Sequence, residues 1–319
     1  MSDKNISVMH DRDMQKVTST QKIRKVVAKV FLYTFLILMA FIVIFPFYWM
    51  LISSVKSVSE YRETIPTLFP REILWSNYID AFNVGNLGRL FLNTMYVGLV
   101  STVLSLIITV LSAFAFARLD FKGKNALFAA LLATMMIPGE LFTITNYQTV
   151  NNFLGLYRLG QQIGSEFLMK IGNWENTYTV LIVPFLVSVF YIYLLRQNFL
   201  QIPNELYLAA KVDGTSDIKY LWKVMIPLAL PTLISITILK MMGAWNSYIW
   251  PRLVANDEMH RLITNGLRQI SFEDPAMPGM VNYPVQMAAV AIVSFPLFLV
   301  FIFLRKYIMK GVSRSGIKG

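Results

Sequence analysis

The chain has 319 residues, 55% hydrophobic and only 15% charged, with a mean hydropathy of +0.53; a soluble domain carries roughly a quarter charged residues, so this composition excludes one. Zero cysteines exclude disulfides, thiolate metal sites and a cysteine nucleophile, and the two histidines, His10 and His260, leave little for a metal cage or a general base. Catalysis by this chain is therefore not expected, and its net charge of +11 must be explained another way.

In chain order, Met1 to Thr20 is polar, with Asp3, Asp11 and Asp13 beside Lys4, Arg12 and Lys16, which reads as a cytoplasmic tail and not an export signal. Lys22, Arg24, Lys25 and Lys29 then form a juxtamembrane cluster that either fixes topology or touches anionic headgroups. Six stretches are apolar and long enough for a hydrocarbon core that takes about 20 helical residues: Val30 to Ile52, Thr94 to Ala117, Asn125 to Tyr147, Thr177 to Leu195, Ile226 to Trp250 and Val285 to Leu304. Pro138 interrupts the third, and Pro227 and Pro231 the fifth. With the N-terminus inside, the cytoplasmic segments hold 19 Lys and Arg and the outer loops nine, as the positive-inside rule requires. The charge is thus a topology signal, and no aromatic-interleaved basic patch points to nucleic acid. Both termini are expected in the cytoplasm, and the longer loops, near Lys56 to Phe91, Gln148 to Asn176 and Pro251 to Pro284, outside.

The segment from Ile202 to Pro231 is polar and, in this topology, cytoplasmic. Pro203 suits a first helical turn, Glu205 complements its positive end and Gly214 is placed for a left-handed cap, so Ile202 to Asp213 is expected as one short helix. Thr215 or Ser216 can cap a second, with Asp217 in its first turn. Leu206, Ala209, Ala210 and Asp213 would share a face, and the paired alanines would let another surface approach closely.

Pro203, Glu205-Leu206, Ala209-Ala210, Asp213-Gly214 and Ile226-Pro227-Leu228, at these spacings between two spans, resemble the cytoplasmic EAA loop of membrane subunits of binding-protein-dependent ABC importers. Asn93-Thr94, Leu111 to Ala117, Met136-Ile137-Pro138, Trp245-Asn246, Trp250-Pro251, Gly266-Leu267, Met287-Ala288-Ala289 and Gly311 to Gly319 are similar to the maltose-type carbohydrate (MalG-like) subfamily, over most of the chain after about Val30. The resemblance implies an all-α integral membrane protein with six transmembrane helices and the type I ABC importer fold. It divides the chain into a tail (1–29), a first helix with its outer loop (30–93), a core (94–306) with the coupling loop at 202–225, and a C-terminal tail (307–319).

It also implies that Glu205, Leu208, Ala209, Ala210, Asp213 and Gly214 couple to an ATPase, although Leu208 stands where the family usually has the glutamate that names the loop. The implied partners are a second, homologous permease subunit, two ATPase subunits, an extracellular solute-binding protein reached by the loop from Pro251 to Pro284, and the lipid bilayer of a bacterial or archaeal plasma membrane. No phosphate loop is present, since Gly123-Lys124 lacks the upstream glycine and the hydroxyl residue. ATP and Mg²⁺ would therefore sit in the partner ATPases, with no cofactor or metal on this chain.

Glu140 and Lys240 fall within spans, both roughly 20 Å from the cytoplasmic side at 1.5 Å per residue, and either pair with each other or line the pathway. Pro138 would kink the third span, Trp245-Asn246 serve packing or pathway, and Tyr48, Trp49, Tyr248 and Trp250 form an interfacial belt or a sugar platform. The tail from Gly311 is either frayed or a contact to the ATPase. Two alternatives stay open: an importer of a polyol or glycerol phosphate, and an ion-coupled secondary transporter.

Overall fold

The computed structural model describes residues 3–313, and side chains from 24 to 305; the tail expected to end at Gly319 lies outside the described residues from position 314. The first helix, α1 (Asp3–Ser54), is one continuous 52-residue element whose apolar part, Arg24–Ser54, is long enough to span. A linker with the short α2 (Val58–Tyr61) leads to α3 (Ser76–Val84) and then to α4 (Leu87–Arg118). At 32 residues α4 is about 48 Å long, well beyond a hydrocarbon core of about 30 Å.

The third expected span is not one helix. It divides into α5 (Lys124–Thr134) and α6 (Leu141–Asn151), with Met135 to Glu140 between them. Pro138 removes a helical N–H and clashes with the preceding turn, and Gly139 beside it adds backbone freedom. Next comes a helical hairpin, α7 (Leu156–Ile163) and α8 (Glu166–Gly172). Its helices touch through glycine: a Cβ on Gly172 would collide with the Tyr157 backbone nitrogen.

The fourth span is also broken. Helix α9 (Tyr178–Ile182) passes through a tight turn at Val183–Phe185, and α10 (Val189–Leu200) follows at 46°. Ser188 caps α10, its hydroxyl accepting from the Tyr191 N–H. After α11 (Asn204–Val212) and α12 (Asp217–Tyr220), a π-turn at Leu221–Met225 runs into α13 (Ile226–Trp245). The helix that carries the fifth span thus runs from Asp217, nine residues before the expected start, to Trp245, with its first turn, α12, belonging to the elbow. Pro227 cannot donate to the carbonyl of Lys223, and the wider turn accommodates that missing bond. Beyond lie α14 (Ile249–Val254), α15 (Ile263–Leu267), an antiparallel hairpin of β1 (Glu273–Asp274) and β2 (Met277–Val281), and α16 (Tyr283–Ser313).

Among the described residues four helices are long and apolar enough to cross a membrane, and five elements are if the bent α9–α10 pair counts as one span. The bundle has an elbow face, where α4 and α10 end and α11 and α12 lie, and an opposite face carrying α2, α3, the hairpin and α15. Beneath the elbow, Ala113, Phe114 and Ala117 of α4 pack with Leu195 and Phe199 of α10 and with Tyr220, Met225 and Ala229 on the way into α13. Towards the opposite face, Trp245 packs with Ile263 and with Val285, Ala288 and Ala289 of α16. The small residues of the Ala113–Ala117 and Ala288–Ala289 stretches are therefore close-packing positions. Helix α1 meets the bundle mainly along α16, where Phe47 and Phe298 pack edge to face.

On the opposite face, charges counted as loop residues are built into the structure. Lys56 is buried beneath the Trp49 ring and donates to the Thr67 carbonyl. Buried Glu60 accepts from the Thr67 hydroxyl and the Arg71 N–H, and Arg62 pairs with buried Asp274 at 3.3 Å, tying the α1–α3 linker to the hairpin.

Candidate functional site

Two features stand out: an elbow that projects from one face and a cavity inside the bundle. In the elbow, α11 ends where Gly214 turns left-handed at φ +70°, with the Thr215 N–H donating to the Ala210 carbonyl at 2.8 Å and the Gly214 N–H to Lys211 at 3.0 Å. These bonds satisfy carbonyls that the helix end leaves open. Ser216 then caps α12 through the Lys219 N–H. One carboxylate locks the two helices together: Asp217 Oδ1 accepts from the Tyr207 hydroxyl and from Lys211 Nζ, both at 2.7 Å. The hydrogen bond from Lys211, then that from Tyr207, holds the Asp217 carboxyl below its ordinary value. Asp217 in turn raises Lys211, while burial first and the bond to Asp217 second raise the Tyr207 phenol, which stays a donor.

This lock also sets which face of α11 looks outward. The Tyr207 ring lies tilted against that of Tyr220, centroids 5.1 Å apart, and, with Ala210 three residues on, packs against the core beneath the elbow. Ala210 was expected on the docking face and instead lies on the inner one, because the bulkier Tyr207 anchors that side. Glu205, Leu208, Ala209 and Val212 point outward at i, i+3, i+4 and i+7 spacing, and Val212 is 88% exposed. Asp213 and Gly214 are exposed at the helix end.

Below the elbow, two arginines cross-cap helix ends. Arg118, in the last turn of α4, donates to the carbonyls of Phe199 (2.9 Å) and Ile202 (2.6 Å) at the end of α10. From α10, Arg196 donates to the Phe116 carbonyl at 3.1 Å and lies over the Phe128 ring. A cation at a helix C-terminus is favourable in itself, and here each serves the neighbouring helix. Neither role was read from the sequence, where both residues counted only towards topology.

The cavity, about 410 Å³, lies between α4, the break of the fourth span and the C-terminal end of α13, with Ser101, Ser188, Tyr191, Lys240, Ser247 and Trp250 in its wall. Lys240 Nζ donates to the Phe185 carbonyl, which the broken helix leaves without a helical partner. Of the five residues expected along a pathway, only Lys240 reaches this cavity. Pro138 and Glu140 are exposed at the α5–α6 break, and Glu140 makes no ion pair among the described residues. The expected Glu140–Lys240 pair is therefore not formed: breaking the third span carries Glu140 away, and Lys240 turns to the fourth. Trp245 is buried in the core, edge-on to Phe91, and Asn246 closes its own helix end on the Met242 carbonyl. Trp250 is buried as well, its indole N–H on the Val180 carbonyl at 2.9 Å, which removes it from an interfacial belt.

Asn93-Thr94 has a clear physical role. Asn93 donates to the carbonyls of Met259 and Arg261 and accepts from the Tyr178 hydroxyl, while the Thr94 hydroxyl accepts the Ile263 N–H. Two adjacent polar residues on α4 thus hold the loop at 259–263.

A membrane bundle that holds an elbow of two short helices clear of one face and carries, towards the other, a largely apolar cavity with one lysine and a few hydroxyl residues in its wall is built as a transport permease. The chain belongs to the family of binding-protein-dependent transport system inner membrane components, whose family model matches residues 14–314. It is 29% identical over 283 residues to the arabinooligosaccharides transport system permease protein AraQ of Halalkalibacterium halodurans, covering 88% of this chain and 93% of that one. It is 30% identical over 286 residues to the sn-glycerol-3-phosphate transport system permease protein UgpE of Rhizobium meliloti, covering 87% and 93%. A chain in the crystal structure of a bacterial ABC transporter involved in the import of the acidic polysaccharide alginate has the same fold, with a TM-score of 0.72 at 21% identity, covering 88% of this chain and 96% of that one. Family membership decides against an ion-coupled secondary transporter.

Proposed function

We propose that this chain is the permease subunit of an ATP-driven importer that takes a carbohydrate, an oligosaccharide in the first instance, from an extracellular solute-binding protein. The observation that carries the reading is the outward face of α11. Leu208 and Val212, 55% and 88% exposed, stand on an element that its own Tyr207–Asp217–Lys211 lock keeps from folding back onto the bundle. Exposed apolar side chains held rigidly away from lipid are a docking surface. The occupant is an ATPase subunit, the elbow face is cytoplasmic with both termini, and two such ATPases bind ATP and Mg²⁺. With no glutamate at Leu208, the contact there is apolar, and charge complementarity falls to Glu205 and Asp213.

A homologous second permease completes the pathway, and the binding protein meets the opposite face around residues 251–284. The membrane is the plasma membrane of a bacterium or archaeon, crossed six times when α5–α6 and α9–α10 each count as one broken span. Closure of the ATPases moves the elbows, and the two permeases alternate between inward- and outward-facing states. The permease names of the arabinooligosaccharide relatives support a sugar cargo.

Purification in mild detergent tests this: the chain should bring with it a second permease and an ATPase, whose hydrolysis rises with the binding protein and candidate sugars. A chain that purifies alone and transports in proteoliposomes without ATP would overturn the proposal.

A further inference from the structure

Resting on that function, we infer that the cavity at the break of the fourth span receives an anionic group of the cargo, a carboxylate or a phosphate, with Lys240 as its counter-cation. The cavity volume of about 410 Å³ suits a small ligand. Lys240 is the only charged residue in its wall, and no carboxylate lies within ion-pair distance of it among the described residues. An ammonium has three donors; Phe185 takes one and two remain.

An ionisable group at membrane depth is costly and ordinarily faces a partner or a water-filled path. Lys240 stands five residues before the end of α13, roughly 8 Å inside it at 1.5 Å per residue, close enough for a lysine to snorkel along its own helix to the interface. It does not: the ammonium turns sideways to the fourth span, at the cavity wall. The first turn of α10, at Ser188, lines the same space and adds the positive end of a helix dipole. Tyr191 and Ser247 in the wall can meet sugar hydroxyls, while Ser101 donates to the Gly98 carbonyl and Ser188 caps α10. In an otherwise largely apolar wall the site therefore has one ammonium and a few hydroxyl residues, with the compensating negative charge supplied by the cargo.

The test is ATP-dependent uptake by the complete complex with its binding protein, using oligosaccharides of one length that are neutral, uronate-terminated or phosphorylated. Wild type should favour an acidic member, and whichever it favours identifies the anion. Lys240→Met should lower the acidic-to-neutral uptake ratio at least about tenfold, the loss expected when a desolvated charge pair loses one partner, and Lys240→Arg should keep the preference. A wild-type preference for the neutral sugar, or an unchanged ratio in Lys240→Met, would overturn the inference and leave the importer reading standing. Loss of the second permease from purified Lys240→Met, but not from Lys240→Arg, would assign the charge to subunit assembly and overturn it too. No ATP-dependent uptake of any member would remove both readings.

Discussion

Gly214 offers a perturbation whose effect is confined to the backbone. At φ +70° it sits in the left-handed region, and a Cβ built there meets nothing within 4 Å, so a side chain adds strain without a clash. An L-residue in this region costs about 1–2 kcal/mol, β-branched residues are the worst fitted, and asparagine is tolerated. Gly214→Asn should therefore leave the elbow near its present population, Gly214→Ala should lower it several-fold and Gly214→Val by about 30-fold, since about 1.4 kcal/mol is a factor of ten. Because the elbow is the proposed link to the ATPase, the assay is sugar imported per ATP hydrolysed in proteoliposomes of the whole complex. Coupling should fall in the order Gly, Asn, Ala, Val while ATP hydrolysis persists. A valine variant with normal coupling, or an asparagine variant as damaged as valine, would refute the reasoning.

Other consequences are equally direct. Val212→Asp places a charge on the exposed apolar face and should weaken ATPase association by about 1–3 kcal/mol, measured as loss of co-purification at limiting ATPase. Asp217 is held below its ordinary value, so its stabilisation is complete above the unfolded carboxylate range near pH 4 and fades as pH falls through the lower folded value; Lys211 is raised, and its share is lost only as pH climbs past about 10. Hydrogen-exchange protection of residues 204–217, corrected for intrinsic rates, should hence be flat from pH 5 to 9 and fall throughout that range in Asp217→Asn. Arg118→Met leaves the Ile202 carbonyl without its donor, at about 1–3 kcal/mol, and the Phe199 carbonyl with only the Ile202 N–H. The same experiment should show faster exchange around residues 199–206 with α4 otherwise unchanged.

The elbow was legible because its signals are local: a proline at the start, a glycine at the left-handed position and a capping serine each act within a turn. The lock across it was half visible. Tyr207 and Lys211 lie one turn apart on α11, but that Asp217 faces both follows only once Gly214 has folded the chain back. Hydropathy found the apolar segments; the sequence marked the interruption at Pro138 as a kink, not as the gap it is, and missed the break at Leu186 to Ser188, which a window average passes over. The Glu140–Lys240 expectation failed for the same reason, as equal depth was counted along helices assumed continuous. Trp250 shows a different limit: indole near the end of an apolar run looks the same whether its N–H meets headgroups or, as here, the Val180 carbonyl.

Helix α4 differs from its broken neighbours in having neither proline nor gap over 32 residues. Arg118 fastens one end to the neck of the elbow, and Asn93 and Thr94 near the other hold the loop at 259–263. A helix does not shorten appreciably under load, so a displacement at one end reaches the other as tilt or translation, without a hinge to absorb it. The bundle therefore sets a stiff pushrod beside the jointed third and fourth spans. A stroke delivered at residues 199–202 is transmitted to residues 259–263 some 40 Å away at the rise of a helix, while the breaks at Pro138 and Phe185 leave the adjoining spans free to change shape around it.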